Sequence, residues 1–72
     1  MSTVVNIDPE ILGGTPVFKG TRVPIVSLFD YLQHGRSIEF FLKQFPSVQP
    51  EQVHTLLEES KVYATATVVQ TA

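Results

Sequence analysis

The first predicted helix carries a serine, an aspartate and a histidine, the side-chain types of a hydrolytic triad. Ser27, Asp30 and His34 are spaced at i, i+3 and i+7. In a triad the serine hydroxyl lies within hydrogen-bond reach of the histidine, whereas an i to i+7 separation spans about 10 Å along a helix. We therefore interpret these residues as a solvated polar face, with His34 favourably placed near the helix C-terminus.

The second histidine could contribute to a metal site. His54 and Glu58 are separated by four positions, as two ligands on one helix face would be. No further histidine or aspartate is placed to complete the set, and the chain has no cysteine. We favour the interpretation of a surface pair. Accordingly, we predict no catalytic residue, no metal site, no cofactor and no enzymatic activity.

The segment GGTPVFKGTRVP, residues 13–24, is rich in glycine and contains two cations, like a phosphate-binding loop. A nucleotide-binding loop has a glycine, four residues and then Gly-Lys-Ser/Thr before a helix. Here the order is Lys19-Gly20-Thr21, and no βαβ unit surrounds it. The pattern instead favours a tight turn and a helix entrance, in which the planar guanidinium of Arg22 suits a carbonyl, carboxylate or phosphate partner.

Length and composition limit the remaining options. A chain of 72 residues has room for one small domain, for which a binding partner is a common source of extra stability. The N-terminus lacks the basic stretch and apolar run of a secretion signal, and no apolar segment approaches the roughly 18 residues that span a bilayer. The absence of cysteine fits a reducing environment. We therefore predict a cytoplasmic protein without membrane association.

Two β segments are predicted before the helices. Residues 3–7 are rich in β-branched side chains and end at an Asp-Pro turn signal. Val17-Phe18 and Thr21-Arg22 flank Lys19-Gly20, where glycine can adopt positive φ, so we predict a two-residue hairpin. Pro24 then fits the first position of a helix, because its missing N–H costs nothing there.

Three helices follow, each with apolar residues on one face. Gly35 lies where a left-handed cap would end the first helix, Ser37 can cap the second, and Pro46 ends it. Pro50 fits the first turn of the third helix. The predicted apolar stripes are Ile25, Leu28, Phe29 and Leu32, then Ile38, Phe41, Leu42 and Phe45, then Val53, Leu56, Leu57, Ser60 and Ala64.

The predicted fold is mainly α, a three-helix homeodomain-like helix-turn-helix bundle preceded by a short β-strand and hairpin arm. Its parts are an N-terminal β arm and turn (1–23), the helix-turn-helix domain (24–66) and a flexible C-terminal tail (67–72). Apolar residues outside the stripes are too numerous for a small monomer, which predicts a homodimer built partly through the arm. They are Val4, Val5, Ile7, Ile11, Leu12, Phe18, Val26, Phe40, Val48, Val68 and Val69.

Charge leaves nucleic-acid binding as an open alternative. The formal net charge is -2, so any contact with DNA would be local. Gln52 and Thr55 could read base edges from the third helix, although its carboxylates would repel phosphates. Four cations could form a phosphate-contacting surface, or could simply confer solubility. These cations are Lys19, Arg22, Arg36 and Lys43.

The chain resembles a family of small bacterial proteins of unknown function over about residues 6–64. The resemblance rests on DPEILGGTPVFKGTRVPIVSLFDYL, then Gly35, then FLKQFPSVQPEQVHTLLEES. It places Phe45, Pro46, Glu51 and Val53 across the turn and the start of the third helix. Its most specific part is a signature turn, which consists of Gly14, Pro16, Gly20, Thr21, Arg22 and Pro24.

Members of that family look like homeodomain-type helix-turn-helix proteins, and many are taken to be VapB-type antitoxins encoded beside a PIN-like ribonuclease toxin. The resemblance implies an antitoxin-like protein that binds such a toxin and binds operator DNA for autoregulation. It supplies no catalytic residue. The C-terminal TVVQTA lies outside the resemblance, and an apolar tail of this kind could occupy the toxin. The alternative, which the acidic third helix favours, is a protein–protein interaction or scaffold module without nucleic-acid binding.

Overall fold

A computed structural model describes residues 2–71 of the chain, with side chains described over residues 2–66. Two short strands, β1 (Val5–Asn6) and β2 (Val17–Phe18), precede three helices, α1 (Ile25–Gln33), α2 (Ile38–Gln44) and α3 (Pro50–Thr71). The predicted architecture, mainly α with a β arm in front, is confirmed. None of the helices in this described range is long and apolar enough to cross a membrane.

β1 and β2 form an antiparallel pair in which Val5 faces Phe18 and Asn6 faces Val17. The strand predicted at residues 3–7 is therefore present in a shorter form. The sequence pattern had indicated a partner for β2 only among the residues that follow it. In the structure β2 also pairs with β1, which precedes it.

The turn after β2 is centred on Lys19-Gly20, as predicted. The Thr21 N–H donates to the Phe18 carbonyl over 2.9 Å, which closes the turn. Gly20 has a φ of +79°, a conformation that side chains with a Cβ rarely adopt. Glycine is thus required at this position by the backbone.

The predicted return strand at Thr21-Arg22 is wrong. Val17 bridges Pro24 instead, and the Phe18 N–H donates to the Val23 carbonyl over 2.9 Å. The Thr21 hydroxyl explains the two-residue shift, because it donates to the Phe18 carbonyl and accepts from the Val23 N–H. These bonds widen the loop and bring Pro24 to the position immediately before α1.

α1 ends in the left-handed cap predicted at Gly35, whose φ is +79°. The Gly35 N–H donates to the Leu32 carbonyl over 3.0 Å, and the Arg36 N–H donates to the Tyr31 carbonyl over 2.9 Å. This pair of bonds is a Schellman motif, which satisfies carbonyls that a helix end leaves unpaired. It also sets the direction in which the chain enters α2.

The boundaries of α2 and α3 follow the predicted caps. The Phe40 N–H donates to Ser37 Oγ over 3.0 Å at the start of α2, and α3 begins at Pro50. Residues 45–49 connect the two helices, with the Val48 N–H donating to the Phe45 carbonyl over 3.0 Å. The connection between α2 and α3 consists mainly of this single turn.

The core unites the arm with the helices. Phe18 from β2, Leu28 from α1 and Phe41 from α2 are fully buried, and the rings of Phe18 and Phe41 lie 6.0 Å apart. Aromatic pairs at this spacing add to the stabilisation from area burial. Three residues that the sequence interpretation had assigned to surplus apolar surface belong to this core: Val4, Phe18 and Val48.

Other apolar residues outside the predicted stripes remain exposed. Ile7, Leu12 and Val26 have exposed fractions of 64%, 46% and 58%. Val68 and Val69 lie outside the residues whose side chains are described. The exposed apolar surface of the described part is therefore smaller than the sequence predicted, but it is not eliminated.

α3 is longer than its contact with the core. Val53 and Leu56 are buried, whereas every residue from 61 to 66 is exposed. The helix has 22 residues and is thus about 33 Å long, so its C-terminal part extends past the core. The flexible tail predicted at 67–72 falls outside the residues with described side chains and stays a prediction.

Replacing Gly20 with valine is expected to destabilise the fold by about 1–2 kcal/mol. A Cβ added at this position would meet no atom within 4 Å, so the cost comes from the positive φ alone. The midpoint of thermal unfolding should fall by several degrees. Gly20→Asn is the control, because asparagine tolerates left-handed backbone better. Identical midpoints for wild type and Gly20→Val would contradict the turn.

Candidate functional site

The cations Lys19 and Arg22 lie on the exposed turn that follows β2. Gln52 joins this turn to the start of α3, because its Nε2 donates to the Lys19 carbonyl over 2.9 Å. The backbone that carries both cations is thereby held beside the N-terminus of α3, where the helix dipole adds partial positive charge. An anion that approached the turn would experience both effects, partly offset by the carboxylate of Glu51 in the same first turn of α3.

Gln52 has a structural role that the sequence interpretation missed. Its Oε1 accepts a hydrogen bond from the Gln49 N–H over 2.9 Å, which is the return half of a capping box at the start of α3. Its Nε2 is bonded to the Lys19 carbonyl. Both ends of the amide are therefore engaged within the chain, and contact with a base edge would compete with these bonds.

The other two predicted phosphate contacts, Arg36 and Lys43, are exposed on and beside α2. The Arg36 guanidinium carbon lies 5.1 Å from the centroid of the Phe40 ring, within the range of a cation–π contact. Lys43 occupies the last turn of α2, where the helix dipole favours a positive charge. Among residues 2–66, no hydrogen bond or ion pair joins these two cations to Lys19 or Arg22.

Most of the signature residues shape the backbone. Gly14 has a φ of +93°, and the Pro16 carbonyl accepts from the Ile25 N–H over 2.9 Å at the entrance to α1. Gly20, Thr21 and Pro24 form the turn and its return to the β arm. Arg22 differs, because it is exposed and takes no part in the hydrogen bonds and ion pairs of the described residues. It is the signature residue that is available to contact a ligand.

A groove of about 610 Å³ lies along α3. Ser2 forms one side of it, because its Oγ donates to Glu59 Oε1 over 2.8 Å and accepts from the backbone N–H of Val4 and of Val5. The N-terminal segment is thereby held against the middle of α3. The lining residues are Ser2, His54, Thr55, Glu58, Glu59, Val62 and Tyr63.

The groove combines exposed apolar surface with carboxylates. Val62 and Tyr63 have exposed fractions of 57% and 75%. Glu58 Oε2 lies 3.2 Å from Lys61 Nζ in an exposed pair, which contributes little to stability. Thr55, predicted to read bases, is half-buried in this groove. The surface is suited to a partner with apolar side chains and positive charge.

The sequence interpretation did not find this groove. Ser2 and Glu59 are separated by 57 positions, and no local pattern links them. A partial signal was present in Val62 and Tyr63, which lie outside the apolar stripe predicted for the third helix. Large apolar residues off the buried stripe of a helix indicate a second contact surface.

The polar face of α1 does not form a triad. His34 Nδ1 lies 2.7 Å from the Asp30 carbonyl, so the imidazole is engaged by the backbone one helical turn earlier. Asp30, Tyr31, His34 and Arg36 line a small pocket of about 280 Å³. No group of three or more candidate metal ligands occurs among the described residues, and His54 and Glu58 both line the α3 groove instead.

Comparison with known proteins identifies one family and one relative. The family described as "Protein of unknown function (DUF433)" matches residues 5–59. The chain is 38% identical over 63 residues to the "Uncharacterized protein y4eO" of Sinorhizobium fredii. The match covers 88% of this chain and 27% of that relative, so the chain spans about a quarter of the relative's length. No solved structure matches the chain.

Replacing Gln52 with alanine is expected to reduce the free energy of unfolding by about 1–2 kcal/mol, because a cap and a tertiary hydrogen bond are lost together. Chemical denaturation measures this change. Gln52→Glu is the matched control, since it retains an oxygen that caps α3 and replaces the donor to the Lys19 carbonyl with a second, charged acceptor. Unchanged stability of Gln52→Ala with reduced DNA affinity would instead identify Gln52 as a base contact.

Proposed function

The chain belongs to the DUF433 family of proteins of unknown function, and we propose that it is an antitoxin-like module that binds a cognate PIN-like ribonuclease toxin. The observation that carries this proposal is the C-terminal part of α3, which extends past the core with residues 61–66 exposed. The sequence resemblance to antitoxin-type proteins supports the class of partner. The proposal places the protein in the cytoplasm together with its toxin.

The exposed part of α3 would gain stability from a partner. Its residues 61–66, KVYATA, include valine, tyrosine and threonine, which have modest helix propensity. Short helical segments without tertiary packing are marginal in water. A helix that lies in a groove of another protein obtains the missing packing from that contact. Toxin binding would therefore stabilise this segment.

The charge of the groove fits a ribonuclease as partner. A ribonuclease must attract RNA phosphates, so the surface around its active site is expected to be cationic. Glu58 and Glu59 lie in the same groove as Val62 and Tyr63. This surface can combine apolar contact with charge complementarity towards the RNA-binding face of the toxin. The acidity that disfavours DNA at α3 thus favours a cationic protein.

We further propose that the functional form is a homodimer. Ile7, Leu12 and Val26 are large apolar residues that remain exposed outside the α3 groove. Burial of such residues between two copies would add stability that a small core does not provide. A dimer would also present two cationic turns and two α3 segments.

Operator binding is a second candidate function, favoured by the four exposed cations. Within residues 2–66 the ion pair is formed by Lys61 and Glu58. The four cations of the proposed phosphate-contacting surface therefore have no carboxylate partner in that range. In this role α2 and α3 would act as a homeodomain-like helix-turn-helix that contacts phosphates rather than base edges, because Gln52 is engaged within the chain. The cations are Lys19, Arg22, Arg36 and Lys43.

Val62→Lys is expected to abolish or strongly weaken copurification with the proposed PIN-like toxin. The new lysine follows Glu58 and Glu59 on α3, so the helix itself should be preserved, while a charge is placed at the apolar contact. Gln44→Lys is the control, because Gln44 is exposed at the end of α2 and lies outside both the groove and the apolar residues assigned to the dimer contact. Equal copurification of both variants would exclude this part of α3 as the toxin contact.

Binding to the chain's own upstream DNA should weaken steeply with salt if the cations contact phosphates. Replacing both Lys19 and Arg22 with alanine is expected to reduce the slope of log affinity against log salt by about two, since each phosphate contact contributes about one. Fluorescence anisotropy at several salt concentrations measures the slope. Absence of binding by the wild type, with and without the toxin, would leave the interaction module without a nucleic-acid role.

A further inference from the structure

We propose that two copies of this chain pair through a reciprocal contact, in which Leu12 of each copy enters an apolar pocket beside the N-terminal half of α1 on the other. The inference rests on the proposed homodimer and specifies its surface. It involves none of the residues that line the α3 groove, so toxin binding and pairing use separate surfaces.

Leu12 combines two features that are unfavourable in an isolated chain. Its φ is +51°, and no other non-glycine residue within residues 2–71 has a positive φ. A leucine side chain disfavours this left-handed conformation, which glycine and asparagine adopt more easily. Leu12 is also 46% exposed. Residues with strained backbone cluster at binding and switch sites, which supports a contact role for Leu12.

The surrounding loop holds Leu12 in this conformation. Its carbonyl accepts from both the N–H and the Oγ1 of Thr15, over 3.2 and 2.8 Å. The Gly14 N–H donates to the Ile11 carbonyl over 3.1 Å, and Gly13 continues the left-handed backbone with a φ of +65°. The loop therefore fixes the backbone of Leu12 before any partner binds, which lowers the entropy cost of association.

The receiving pocket has a volume of about 330 Å³ and is lined by Thr15, Pro16, Ile25, Val26 and Phe29. None of these side chains is charged, and Val26 is 58% exposed. Two copies of the chain can therefore bring this uncharged surface together without repulsion between like charges. The same pocket offers nothing to attract a cationic toxin or a phosphate.

The position of Leu12 beside this pocket indicates a second copy as the occupant. Thr15 lines the pocket and its Oγ1 donates to the Leu12 carbonyl, so the backbone of Leu12 lies beside a residue of the recess. A two-fold axis through such a face brings Leu12 of one copy to the pocket of the other, and the reverse contact forms at the same time. The contact surface is thus self-complementary.

Sedimentation equilibrium of the purified full chain tests the inference. Leu12→Asn tolerates the left-handed backbone and should stay folded, but its dimer dissociation constant should rise about tenfold or more. Leu12→Gly is the second variant, because it removes the side chain and accommodates the same φ. Val26→Glu, which places a charge in the pocket at a helix start that tolerates it, should have the same effect. Val62→Lys is the matched control and should leave dimerisation unchanged.

A mixing experiment separates reciprocal insertion from general apolar contact. Leu12→Asn retains an intact pocket and Val26→Glu retains an intact leucine, so a heterodimer of the two recovers one of the two contacts. Native mass spectrometry of the equimolar mixture should show heterodimers at concentrations where each variant alone is monomeric. A wild type that is monomeric throughout would overturn the homodimer itself. If the wild type is dimeric and Leu12→Asn and Val26→Glu dimerise equally well, this surface alone would be overturned. The same holds if Val62→Lys is the variant that loses the dimer.

Discussion

The burial of Phe18 in the helical core is the interaction on which the remaining structure depends. Its ring packs 6.0 Å from Phe41, which ties the β arm to α2. The Thr21 hydroxyl bonds the Phe18 carbonyl, and Gln52 bonds the carbonyl of the next residue. One buried aromatic side chain thus brings the arm, the turn and the start of α3 into a single unit.

This arrangement separates the residues that build the fold from those that can bind. The glycine, proline and threonine residues of the turn are used to direct the backbone, while Lys19 and Arg22 project from it into solvent. At the other end of α3, residues 61–66 lie beyond the core. A small domain of this kind gains stability from whatever covers that surface, because binding to the folded state shifts the folding equilibrium. The proposed partner binding at α3 would therefore be coupled to folding.

The two groove carboxylates and the exposed cations of α2 and the turn have different places in the structure, and this local distribution matters more than the net charge of -2. Glu58 and Glu59 lie in the groove along α3, whereas Arg36 and Lys43 lie at α2 and the other cations on the turn. Electrostatic steering acts locally, over distances of about 8–10 Å at physiological salt. The sign of the local charge therefore differs between the groove and the turn, which the net charge alone does not indicate.

The sequence by itself determined the first two helices with their ends and the start of the third, because apolar periodicity, the cap at Ser37, the left-handed Gly35 and Pro50 are encoded by neighbouring residues. It also identified the turn around Gly20. It did not predict the end of α3, which lies at Thr71. Only the tertiary structure decided the partner of β2, the internal use of both ends of the Gln52 amide, and the groove that Ser2 completes by bonding Glu59. These features depend on contacts between residues far apart in the chain, and such contacts form only after the core has brought their backbones together.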